Sequence, residues 1–107
     1  KVVSSQPPSC IQPTQAPTPL TPSGVITTVR PVFKWSAVPG SGAYTLYEQD
    51  GDSAGAVVHR ATGITGTTYA MPVDLPVNQL LRWKVKKDSE CGTGPYSAIT
   101  YFIVISN

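Results

Sequence analysis

Proline and glycine punctuate this chain so densely that no segment of helical period survives to ten residues. Eleven of its 107 residues are Pro and nine are Gly. A proline inside a helix removes a backbone donor and clashes with the preceding turn, and an internal glycine costs roughly 1 kcal/mol relative to alanine. Between these interruptions apolar and polar residues alternate, which is the period of a strand with one buried face. The length fits one domain, and a hydrophobic share of 40% is enough for one core. Charged residues make up only 13% and the net charge is +2, too weak a positive field for a nucleic-acid or polybasic membrane surface. No apolar run approaches the roughly 20 residues of a membrane span. The sequence therefore predicts a small all-β domain.

The strands can be placed by their alternation. Residues 31–36 (PVFKWS) put Phe33 and Trp35 on one face. Residues 43–50 (AYTLYEQD) put Tyr44 and Leu46 inward and Thr45 and Tyr47 outward. Residues 56–61 (AVVHRA) form a short strand, and 67–71 (TTYAM) have Tyr69 and Met71 as their apolar side. Residues 80–87 (LLRWKVKK) turn Leu81, Trp83 and Val85 inward and Arg82, Lys84 and Lys86 outward. Residues 97–105 (SAITYFIVI) end the set, and a Pro-rich edge strand near 18–20 begins it. About seven short strands with turns between them fit an antiparallel β-sandwich.

Six of the eleven prolines fall within the first 22 residues, mixed with Ser, Thr and Gln. Residues 1–15 read as an extended interdomain linker and 16–107 as the domain. The opening KVVSSQPPSC, without an initiating Met, is expected of a piece of a longer protein. The chain has two cysteines, Cys10 and Cys91. They allow either one intrachain bridge or two free thiols.

The order of these residues resembles a fibronectin type III domain. Trp35 stands where that family commonly has a core Trp on its second strand, and Tyr44-Thr45-Leu46 looks like its Tyr-x-Leu on the third. Tyr69, Met71 and Leu75 resemble the run into the corner before strand F, whose inward residues match Leu81, Trp83 and Val85. The segment 92–97 (GTGPYS) resembles the Gly and Ser pattern before the last strand. One departure is clear. The family usually has Leu at the corner and Tyr six residues later, and here those positions hold Leu75 and Leu81, so the corner must be held without a tyrosine hydroxyl. A Cys-Gly pair after strand F looks like modules of secreted multidomain bacterial proteins. The resemblance implies a seven-stranded antiparallel β-sandwich with Phe33, Trp35, Tyr44, Leu46, Tyr69, Leu75, Leu81, Trp83 and Val85 in its core. It also implies that Cys10 and Cys91 meet at one pole and form a disulfide, and hence a secreted or cell-surface location.

Little in the sequence offers chemistry. The lone histidine, His59, lacks a nucleophile elbow around it and reads as an exposed strand residue. Glu48, Asp50 and Asp52 form the one acidic cluster, without the ligand spacing of a calcium loop, and read as a solvated turn. No catalytic residue, cofactor or metal site is expected. Tyr47, Tyr96 and Tyr101 face outward or sit at a loop end, and are the residues expected to contact a polysaccharide or protein ligand. The leading expectation is a non-catalytic spacer whose partners are the neighbouring domains of its parent chain. The alternative is a binding module acting through those tyrosines. Nucleic acid is not an expected partner.

Overall fold

The computed structural model describes residues 12–40, 42–51 and 55–106. All of its regular elements are strands, and they build two sheets. The smaller sheet holds β1 (Pro19–Thr21), β3 (Val32–Trp35) and β6 (Thr68–Ala70), in the order β1-β3-β6. The larger runs β2-β9-β7-β4-β5, from β2 (Gly24–Ile26), β9 (Thr100–Val104), β7 (Leu80–Ser89), β4 (Ala43–Asp50) and β5 (Val57–Ile64). A two-residue strand β8 (Gly92–Thr93) turns back onto β7.

Nine elements reduce to the expected seven for two reasons. Pro22 has no N–H to give to a ladder, so the first edge segment breaks there. Its first half, β1, pairs with β3 in the smaller sheet, and its second half, β2, crosses to β9 in the larger. The carbonyl of Pro22 is taken up by the indole N–H of Trp83, which donates to it at 2.9 Å. The small β8 closes the end of β7 and adds no layer. The β2–β9 pairing is parallel, a departure from the wholly antiparallel pattern expected; β2 is the edge strand beside β9, and the connection between them runs through the rest of the chain.

Alternation sends one side of β3, β4, β7 and β9 into a shared aromatic core. Phe33, Trp35, Tyr44, Leu46, Leu75, Leu81, Trp83 and Val85 are buried there, joined by Val38, Met71, Phe102 and Val104. Phe33 sits edge-on to Trp83 with ring centroids 5.1 Å apart, and Trp35 packs on Tyr44 at 5.5 Å. Such tilted contacts place the positive edge of one ring against the negative face of another. The Tyr44 hydroxyl is satisfied by the backbone N–H of Val38 at 2.9 Å. Tyr69 differs from the expectation. It is half-buried and packs on the core from its rim. Strand β6 lies at the edge of the smaller sheet, and the phenol there reaches a polar partner instead of the closed interior.

The corner that lacks a tyrosine is held by backbone pairing. Leu75 is buried and its N–H donates to the Val29 carbonyl at 2.9 Å. Asn78, in the left-handed region at φ 61°, sends its N–H to Val104 at 2.6 Å. Arg30 pairs with Asp74 at 2.7 Å on the outside of the same corner. Leu81 is fully buried opposite Phe102 and contributes packing where the family has a hydroxyl.

The lead-in lies along the domain from residue 12 onward. Gln12 donates from Nε2 to the Thr93 carbonyl at 3.1 Å, and Pro13 is buried. Gly94 has no room for a side chain: a Cβ there would come within 2.9 Å of the Pro13 Cβ. Further along, Thr18 and Ser36 exchange two hydrogen bonds, of 2.8 and 2.9 Å. Residues 1–11, including Cys10, lie outside the described residues.

Candidate functional site: the outer face of the larger sheet

Two inward positions hold titratable side chains, Glu48 and Lys87, and they differ in how the polar group is met. On β4 the phase that buries Tyr44 and Leu46 also buries Glu48 completely. Neither carboxylate oxygen finds a hydrogen-bond partner. Burial, reinforced by the neighbouring negative charge of Asp50, pushes its pKa up to about 8. Glu48 is therefore no part of a solvated acidic turn; Asp50 accepts from Gln79 at 3.2 Å, and Asp52 lies outside the described residues. On β7 the phase of Leu81, Trp83 and Val85 continues to Lys87. Its ammonium donates to the carbonyls of Val38 at 2.8 Å and Gly40 at 2.6 Å and stands 5.1 Å over the Tyr44 ring. The lysine is paid for where the glutamate is not.

His59 is half-buried, with Nε2 2.7 Å from the Tyr69 hydroxyl. Burial raises the pKa of that phenol. No group of three or more His, Cys, Asp or Glu able to hold a metal ion occurs among the described residues. An open groove between Pro22, Ile26, Arg30 and Val32 has one charged group, and Arg30 is already paired with Asp74.

The outer face of the larger sheet is different. In register across it, Tyr101 lies opposite Arg82, and Arg82 opposite Gln49; the next row is Lys84, Tyr47 and Arg60; the row after is Lys86 and Thr45. The segment after β8 brings Tyr96 onto the same face, its ring 5.8 Å from that of Tyr47. The three tyrosines thus share one surface. Cations cover two of their rings. Lys84 Nζ is 4.2 Å from the Tyr96 centroid and 5.8 Å from that of Tyr47, Arg60 stands 5.4 Å over Tyr47, and Lys86 5.2 Å over Tyr96. Among the described acids Asp88 sits beside them, 3.4 Å from Lys86 and accepting from the Thr45 hydroxyl. Burial raises the Tyr96 pKa, with Tyr47 and Asp88 adding to the shift and Arg60 opposing it. Tyr101 keeps 45% of its surface exposed and carries no such cover.

The architecture now decides the fold. A solved fibronectin type III domain of human fibronectin type III domain containing protein 3 superimposes with a TM-score of 0.66, at 19% identity, over 97% of this chain and 94% of that one. The fold is that of a fibronectin type III domain. An Fn3-like protein from Clostridium thermocellum matches with a TM-score of 0.58 and 20% identity, over 92% of this chain and 97% of that one. The α-L-rhamnosidase from Dictyoglumus thermophilum matches at 0.63 and 13% identity; it covers 88% of this chain but only 13% of the enzyme, where the same fold is a small part of a longer chain. No protein-family model matches the sequence, and no curated protein matches it. No helix among the described residues is long and apolar enough to cross a membrane.

Proposed function

We propose that this fibronectin type III domain is a non-catalytic interdomain module of a secreted or cell-surface protein, of the kind carried by multidomain bacterial proteins. Its task is to set the direction of a neighbouring domain. The observation that carries the reading is the clamp of Gln12 and Pro13 onto the hairpin at Thr93 and Gly94. A chain that leaves the body along a fixed line transmits orientation, whereas one free from residue 16 would act as a tether. The clamp also supports a Cys10–Cys91 disulfide: residue 12 touches residue 92, so the two cysteines sit two residues and one residue from a contact. Such a bridge belongs to an oxidising compartment. The fold commonly serves as a structural or interdomain module, which agrees with this reading. Small-angle scattering of the parent protein tests it. Replacing Gln12 and Pro13 by glycine, together with Cys10→Ser, should broaden the parent's distance distribution. An unchanged distribution would refute the positioning role.

A second reading has its own support. Tyr47, Tyr96 and Tyr101 stand on a single face, as a binding module requires. With cations over Tyr47 and Tyr96, a polysaccharide has only Tyr101 as a bare ring to stack on, so the face fits a protein surface better.

A further inference from the structure

Charge on this molecule is segregated. Arg60, Arg82, Lys84 and Lys86 are four of the chain's eight Lys and Arg residues, while Asp88 is one of its six acids, so the described residues named on this face carry a local balance of 4 − 1 = +3. At one end of the same face the charge gives way to aliphatic surface. Val25, Ile103 and Leu80 are lateral neighbours across β2, β9 and β7, on the side opposite buried Phe102 and Leu81. Val25 is 67% exposed and Leu80 46%. Successive outward rows on a strand are roughly 6.7 Å apart, so the surface passes from aliphatic, through Tyr101 and Arg82, to the cations within about 20 Å.

We infer that this face docks a protein partner that presents carboxylates to Arg60, Lys84 and Lys86 and an aliphatic patch to Val25, Ile103 and Leu80. The inference rests on the second reading above and names its ligand class. Two observations select a protein. A glycan would need ring faces, and those of Tyr47 and Tyr96 are covered by the cations themselves. It would also leave the aliphatic row wet, whereas apolar area beside Tyr and Arg is the composition of protein interfaces. The rings in turn hold the cations in place. A lysine fixed over an aromatic face loses less side-chain freedom when a carboxylate arrives, which favours binding by preorganisation.

The test uses the whole chain labelled with ¹⁵N and, as the probe, an extended synthetic peptide in which a run of Glu is followed by a run of Val. The peptide should shift the amides of Tyr47, Arg60, Lys84, Lys86, Leu80 and Ile103 saturably. Affinity should fall about tenfold in Lys84→Gln and in Arg60→Gln, with melting temperatures unchanged, and about tenfold again when the salt is raised from 0.05 to 0.5 M. A matched Gln/Val peptide should bind at least about tenfold more weakly. Oligogalacturonate and heparin oligosaccharides serve as the glycan arm, and a concentration series without peptide tests a second copy of the chain. No saturable shift, affinity unchanged from the parent chain in both variants, tighter binding of either glycan, or the same shifts on self-association would each overturn the proposal. None of these outcomes bears on the clamp at Gln12, so failure here is separable from failure of the positioning role.

Discussion

Replacing Glu48 by Gln removes one titrating group and keeps its volume. The folded chain holds the Glu48 proton up to a pH of about 8, against 4.5 in the unfolded chain. Below pH 4.5 both states are protonated and the glutamic acid costs nothing through ionisation. As pH rises, the unfolded chain ionises first, so stability falls by about 1.4 kcal/mol for each pH unit until the folded state ionises too. Over the interval from 4.5 to about 8 the loss approaches 5 kcal/mol. That is large beside the 5–15 kcal/mol roughly typical of a whole domain. Urea unfolding of both proteins from pH 4 to 8.5 measures it, since the difference between them isolates this residue from every other titration. Glu48→Gln should match the parent protein near pH 4 and exceed it increasingly above pH 5. In thermal melts the gap should widen by about 20 °C for a chain of this length. Parallel pH profiles would refute the premise that a buried, unpartnered carboxyl sits in this core.

Other changes should act through contacts already described. Lys87→Met leaves the Val38 and Gly40 carbonyls without their donor and should cost about 1–3 kcal/mol in urea unfolding. Trp83→Ala empties the centre of the ring cluster and frees the Pro22 carbonyl, for a loss of about 3–5 kcal/mol in the same assay. Mass spectrometry of the unreduced chain should find both thiols blocked, and reduction should lower stability by up to about 4–5 kcal/mol for a closed loop of about 80 residues. Two freely alkylated cysteines would contradict the bridge.

Much of the sandwich can be read from the period of two. Strand β4 covers residues 43–50 as its alternation predicts, because Tyr44 and Leu46 must share a face. The hidden features follow the same phase further than chemical intuition allows. Glu48 is two residues past Leu46 and Lys87 two past Val85, so the strand period sends both inward, but their charge reads as a solvated end. Strand β2 is three residues long and pairs with a strand that starts at Thr100, so no local pattern announces it. The phase of β4 puts Tyr47 outward, but its contact with Tyr96 depends on a loop folding back across the sheet. Tyr69 has the right phase for the core and the wrong place, since burial also depends on distance from the sheet edge.

The positioning role stands on the lead-in belonging to the body of the domain, and backbone ¹⁵N relaxation at Gln12, Thr14 and Gln15 tests that most directly. Their order parameters should match those of strands β4 and β7, near about 0.85. Values below about 0.6, with the strands still rigid, would show a free tether and contradict the account.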